Sequence, residues 1–362
     1  MVLAMLDNIA IEGRKQQFLN RTIEHPRFCQ SLQRLERQFV TCDVRRIKLL
    51  HLLIGWTGAG KTTLIEEFHR RHPDTETAFG VQKPIILATL PNKATERGVV
   101  VAILKAMGYA LNGRYNKDDI ADEIAEKAQL LGTKMIIVDE AQHLMRGKVV
   151  DNANFLKSLR QRLSCELVLS GLPELENLKF VDAQLTRRNN PVSNLSQYSL
   201  TDGKERRQFL EILNRTELAL GLPAPSELAT PDLARRIYAA SDGLIGIVSK
   251  LLSEALELAL ELGADRINKG LLAQVFARDF DRTCSPEYDL DELVSSADVF
   301  KIDDLEQSSP SDLERSWVEV DETTNPFACS IKLLDKIHAT QRRVLRASGD
   351  RPRYDRGFQI KA

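Results

Sequence analysis

Between residues 49 and 200 the chain alternates short apolar runs with longer amphipathic ones. The apolar runs predict strands at Leu49–Ile54, Pro84–Leu90, Lys134–Val138 and Glu166–Leu169, with another near Leu195–Leu200. Between them, apolar residues at helical spacing predict helices around 61–71, 95–107, 118–131 and 152–163. Strand and helix in alternation imply an α/β fold with a parallel sheet and helices on both faces. Upstream, Leu32, Leu35, Phe39 and Val40 recur at helical spacing, which predicts a helix packed on the core.

After Leu200 the strand pattern stops. Thr201 is placed to cap a helix running to about Leu220, which Gly221 and Pro223 end. Thr230-Pro231 opens a short helix to Ala240, and Ser241-Asp242-Gly243 breaks the chain. Leu244–Leu262 is amphipathic with Gly263 at its end, and Asn268 starts a last helix to about Phe280. From Asp281 to Glu322 acidic residues dominate, and the remainder turns basic. The expected organisation is an N-terminal helical segment over 1–47, an α/β domain over 48–200 and a helical lid over 201–280. An acidic linker and a basic tail follow over 281–362. The tail reads as a tether that assembly does not need. A competing reading has Trp317 and Phe327 strap it back on the body.

A hydrophobic content of 43% beside 28% charged residues is that of a soluble globular chain. The formal net charge is −1, so any contact with nucleic acid must come from local basic patches. The five cysteines form no C-x-x-C pair, which argues against zinc and fits a reducing, cytoplasmic setting. Asp7 and Glu12 interrupt the first residues, and no run suggests a signal peptide or a membrane span.

The chemistry concentrates in Gly55-Trp56-Thr57-Gly58-Ala59-Gly60-Lys61-Thr62, followed by Thr63, between a predicted strand and a predicted helix. Glycines let backbone N–H groups turn inward around a polyphosphate, and a helix N-terminus adds its positive dipole end. Lys61 can reach the β- and γ-phosphates of ATP, and the Thr62 hydroxyl can ligate Mg2+. The second element is Met135-Ile136-Ile137-Val138-Asp139-Glu140, an apolar strand with two carboxylates at its C-terminal end. Ligands of open α/β sheets bind at that edge. Asp139 is placed to hold Mg2+ and Glu140 to orient or deprotonate water, which together indicate ATP hydrolysis.

An α/β core followed by a helical lid resembles the AAA+ P-loop NTPases. The resemblance implies that Ser170, ending the strand Glu166–Leu169, senses the γ-phosphate. It also implies that Arg188 or Arg187, in Gln184-Leu185-Thr186-Arg187-Arg188, serves as an arginine finger for a neighbouring subunit. As residues alone, Ser170 reads equally as a strand-end cap and the arginines as a solvated pair. The lid departs from the AAA+ pattern at Gly243-Leu244-Ile245-Gly246, where a following arginine is absent and Lys250 reads as an exposed helix lysine.

The strings Asp139-Glu140-Ala141-Gln142-His143-Leu144, Gly171-Leu172-Pro173-Glu174-Leu175 and Ser241-Asp242-Gly243-Leu244-Ile245-Gly246 narrow the resemblance. With the arginine string, they are similar to the TniB/TnsC family over roughly residues 25 to 280. These are AAA+ regulators of Tn7-like and Tn5053-like transposons. The resemblance implies a homo-oligomeric ring or filament on double-stranded DNA that marks a target and recruits a transposase and a target-selection protein, with hydrolysis driving disassembly. Lys93, Arg97, Lys105, Arg114 and Lys117 supply cations for sequence-independent phosphate contacts, and they also read as an ordinary solvated face. Two alternatives stay open: a secretion or signalling ATPase of the ExeA type without DNA, and a helicase loader or replication initiator. No winged-helix pattern follows the lid, which counts against an initiator.

Overall fold

A computed structural model describes residues 2–21, 23–45, 50–78, 80–92, 94–110, 117–145, 149–178, 192–280 and 327. The chain divides into two compact units, one of residues 24–196 and one of residues 1–23 with 197–362. The N-terminal segment 1–47 is therefore shared between them, its first helix joining the C-terminal helices and its second joining the sheet.

The first of these units follows helix α1 (Val2–Leu19) in the chain, opens with α2 (Pro26–Thr41) and holds a five-stranded parallel sheet. Its strands are β1 (Leu50–Ile54), β4 (Ile85–Thr89), β5 (Met135–Asp139), β6 (Glu166–Gly171) and β7 (Val192–Asn194), in the spatial order β4-β5-β6-β1-β7. β1 thus lies between two strands that come much later in the chain, and its C-terminal end is where a ligand crevice forms. The helices are α3 (Lys61–Arg71), α4 (Glu96–Met107), α5 (Lys117–Leu130) and α6 (Val149–Arg162). Leu52, Ile54, Ile136, Val138, Leu167 and Leu169 share one face with Val100, Ile103, Ile124 and Leu156 of α4, α5 and α6. α2 packs on α3, where the Phe39 and Phe68 rings meet edge to face at 5.8 Å, and on β7. Leu32, Leu35 and Phe39 are buried as expected, but Val40 is 69% exposed because it sits off the buried stripe.

Two features of the strands differ from expectation. The fifth sheet strand is Val192–Asn194 and not Leu195–Leu200. At Leu195 the backbone makes one more bond, its N–H to the Ile54 carbonyl at 2.8 Å, and leaves the ladder. Leu195 and Tyr198 are apolar for a different reason, since both are buried outside the sheet. A short antiparallel hairpin, β2 (Thr75–Thr77) and β3 (Gly80–Gln82), was not expected. Its residues are almost all exposed, so no alternation of apolar positions marks it.

The second unit contains α1 (Val2–Leu19), α7 (Gly203–Leu220), α8 (Pro231–Ser241), α9 (Ile245–Glu261) and α10 (Lys269–Val275), which runs into a π turn at Phe276–Phe280. The four C-terminal helices stand where the sequence pattern put them. The cap of α7 is Asp202, one residue past Thr201, its carboxylate accepting from the N–H groups of Lys204 and Glu205, both at 2.8 Å. α1 packs on α9, where the Lys15 ammonium reaches the carboxylates of Glu254 and Glu257. Phe327 is fully buried in this core, its ring 6.0 Å from that of Phe276. A purely tethered tail does not account for that placement.

Candidate nucleotide site

β1 delivers the chain into the turn at Gly55, where side-chain space runs out. A Cβ there would lie 2.8 Å from the Leu195 carbonyl oxygen and 3.1 Å from the Ala59 Cβ. Gly58 and Gly60 adopt left-handed backbone angles, φ 77° and 89°, which glycine reaches without a Cβ penalty. Gly60 is also the residue that caps α3, and no side chain accepts from the first-turn N–H groups of that helix. Those donors and the dipole end they form are what a phosphate group satisfies.

Lys61 opens α3 and is only 9% exposed. Its Nζ donates to the carbonyls of Gly55, at 2.7 Å, and Trp56, at 3.0 Å. Burial holds this ammonium below the ordinary lysine range, with the charges of Asp139 and Glu140 opposing the shift. A cation kept dry with carbonyl dipoles for partners gains when an anion arrives. Thr57, Thr62 and Thr63 are exposed on the loop and first turn, and Ala59 is buried beneath them.

Asp139 ends β5 and is 7% exposed, its Oδ1 accepting from the Glu140 N–H at 2.9 Å. Glu140 then turns into the left-handed region at φ 57°, which redirects the chain into a short 3-10 helix, Ala141–Met145. Its side chain is 44% exposed. The Gln142 amide Nε2 donates to the Glu140 carboxylate at 2.6 Å, and the Gln142 Oε1 accepts from the Leu172 N–H at 3.3 Å. Sequence reasoning gave Gln142 no role, although its place in the Asp139-to-His143 string marked it.

Register pairs Val138 with Leu169, and strand alternation sets Ser170 on the sheet face that Asp139 shares. Ser170 is fully buried and its Oγ has no hydrogen-bond partner among the described residues. A buried hydroxyl placed this way is available to a ligand's donor or acceptor. The oxygen donors at Thr62 and Asp139 suit a hard cation such as Mg2+, and the loop amides with Lys61 suit a polyphosphate.

Arg97 is exposed on α4 in line with exposed Lys105. Lys93, Arg114, Arg187 and Arg188 lie outside the described residues, as does the side chain of Lys117. Tyr109 carries the Lys127 ammonium over its ring at 4.0 Å. Lys250 is exposed, with its Nζ 5.3 Å over the Phe280 ring. Among the described residues no helix is long and apolar enough to cross a membrane.

The folded chain is similar to the Aeropyrum pernix ORC1 protein, solved in complex with DNA, at 17% identity and a TM-score of 0.53, covering 74% of this chain and 70% of that one. It is similar to Cdc6p from Pyrobaculum aerophilum at 15% identity and a TM-score of 0.50, covering 90% and 87%. Against the Aeropyrum pernix ORC2 protein the identity is 17%, the TM-score 0.49 and the coverage 68% and 66%, so the chain spans just under two-thirds of that protein. At these identities the likeness to the ORC1 and Cdc6p proteins speaks for the fold alone. No curated protein matches the chain in sequence. The family model of the bacterial TniB protein matches residues 15–199, which is half of the chain and contains the phosphate loop, Asp139-Glu140 and Ser170. The chain belongs to the TniB family.

Proposed function

We propose that this ATPase is a switch for DNA transposition. With ATP it assembles as a homo-oligomer on double-stranded DNA, marks a target and recruits the transposase together with a target-selection protein. Hydrolysis then disperses the assembly. The observation that supports the reading most is a buried Lys61, its ammonium held by the Gly55 and Trp56 carbonyls and sensing the charges of Asp139 and Glu140, inside a TniB chain.

Lys61 would leave the carbonyls of Gly55 and Trp56 for phosphate oxygens, assisted by the backbone of Gly58, Ala59 and Gly60 and by Thr57 and Thr63. Thr62 and Asp139 would hold Mg2+, which supplies charge neutralisation along the phosphates. Glu140 accepts the proton of the attacking water. Ser170 reports the γ-phosphate to β6, and Arg188 or Arg187 of a neighbouring subunit stabilises the charge that develops. DNA binding is supported by the DNA-bound ORC1 protein of like fold and by the exposed Arg97 and Lys105. With Lys93, Arg114 and Lys117 these would grip phosphates without reading bases, each subunit repeating the contact along the duplex.

Electron microscopy of the protein with duplex DNA tests this. Ordered rings or filaments are expected with a non-hydrolysable ATP analogue and DNA together, and not with either alone. Absence of assembly under the combined condition overturns the reading. Assembly with the analogue alone would favour an ATPase adaptor that does without DNA.

A further inference from the structure

The Asp139-to-His143 string carries one residue that the proposed chemistry does not use. Gln142 is 6% exposed, and both ends of its carboxamide are engaged. One end donates to the Glu140 carboxylate at 2.6 Å, and the other accepts from the Leu172 N–H at 3.3 Å. A carboxylate needs a donor and a backbone N–H needs an acceptor, so only one orientation of the amide satisfies both. The crossing from the β5 exit to the β6 exit is possible because of Gly171. A Cβ at that position would stand 2.4 Å from the Gln142 Oε1 and 3.0 Å from the Gln142 backbone nitrogen. The residue before it is Ser170, whose buried Oγ has no partner among the described residues.

We propose that Gln142 is a positioning residue: its carboxamide ties the Glu140 carboxylate to the end of β6, so that Ser170 and Glu140 are coupled through a single side chain. This rests on Glu140 as the base. Without the tie, Glu140 is a half-exposed side chain on a left-handed turn residue, free to leave the position from which it takes a proton. His143 offers no substitute, since its Nε2 is 3.8 Å from the Glu140 Oε2, beyond hydrogen-bond reach.

The test is steady-state ATP hydrolysis by the full chain with DNA, alongside direct nucleotide binding. Gln142→Leu is expected to lower kcat about 10- to 100-fold while KM for ATP and nucleotide affinity stay within about twofold, the mark of misplacement without lost binding. Gln142→Glu keeps an acceptor for Leu172 but offers Glu140 no donor, and shows the same loss. Gly171→Ala displaces the carboxamide and lowers kcat alike, with no further loss when combined with Gln142→Leu. In a Glu140→Gln background, Gln142→Leu leaves the residual turnover unchanged, which a general packing role would not do. Unaltered kcat in Gln142→Leu and Gln142→Glu, or an additive loss in the Glu140→Gln background, overturns the proposal. Wild-type turnover by Glu140→Gln alone removes Glu140 as the base, and the coupling with it.

Discussion

Glu140 is the residue on which hydrolysis turns. Glu140→Gln keeps the shape of the side chain and cannot accept a proton. The expected outcome is nucleotide and DNA binding near wild type, turnover lowered about 10²- to 10⁴-fold, and assemblies that persist. Phosphate release and light scattering after dilution measure the two effects. Two histidines set a separate behaviour. Burial, with a smaller effect of Arg34, lowers the His51 imidazole to about 3, and burial followed by Arg27 lowers His25 to about 4. Both fold in the neutral form: His51 contacts the Ser193 Oγ at 3.1 Å and the His25 Nδ1 accepts from the Phe28 N–H. Their folded values lie below the unfolded value near 6.5, so the unfolded chain binds more protons as pH falls. Stability is fully present above pH ~6.5 and is lost below it at about 1.4 kcal/mol per histidine per pH unit, towards pH ~4 and then ~3. Urea midpoints from pH 7 to 5 should fall accordingly, and a His25→Asn/His51→Asn variant should flatten the slope. Residue types were legible wherever chemistry restricts them: glycine where the phosphate loop takes left-handed angles, and lysine where an ammonium must reach the phosphates. A part for Gln142 was not, and Ser170 was offered one only through the resemblance, because a serine in a strand and a glutamine after a carboxylate acquire meaning only from burial and crossing distance.

At the scale of elements, the central strands β1, β5 and β6 were readable because each is buried along its whole length and mostly apolar. The same rule misplaced β7, where three residues pair and the apolar ones that follow serve another core. The hairpin of β2 and β3 escaped because exposed polar strands carry no period. Ser241-Asp242-Gly243 was read as a break, and its reason is local crowding. Gly243 has φ 73°, and a Cβ there would meet the Tyr198 carbonyl oxygen at 2.3 Å and the Tyr238 ring at 2.8 Å. Its own carbonyl accepts from the Tyr198 N–H at 3.0 Å. Gly243→Ala combines left-handed strain with an overlap that backbone cannot relieve cheaply, and should destabilise the helical unit by about 2–4 kcal/mol. Thermal unfolding compared with Gly263→Ala separates the two terms. Gly263 shares the positive φ, at 62°, but has open space around its missing Cβ.

For the whole molecule, two predictions concern parts beyond the described residues of the site. Arg188→Ala should leave nucleotide binding by single subunits intact and lower turnover by about 10³-fold or more if it reaches a neighbour's ATP. Mixing Arg188→Ala with Lys61→Ala subunits then restores part of the activity, and no restoration at any ratio would argue against a shared site. The tail offers the other. Its dispensability from about residue 283 was the expectation, but Phe327 sits fully buried against Phe276. Phe327→Ala should therefore cost about 3–5 kcal/mol of stability in the helical unit, measured by denaturant unfolding. Truncation after Phe280 should do at least as much and impair assembly. Composition made that segment look unable to build a core of its own, which is no guide to whether one aromatic from it completes another.

The packing of α1 on α9 has a consequence for how the chain is made. α1 (Val2–Leu19) finds its partner only after Ile245–Glu261 has been synthesised, about 10–50 s later at ordinary translation rates. Until then Phe18, which ends 3% exposed, has no core to enter, and Lys15 lacks the carboxylates of Glu254 and Glu257. The sheet unit, contiguous over residues 24–196, can close in the meantime. Birth order and folding order are thus inverted for α1, which spends the interval as a newborn segment for a chaperone to shelter.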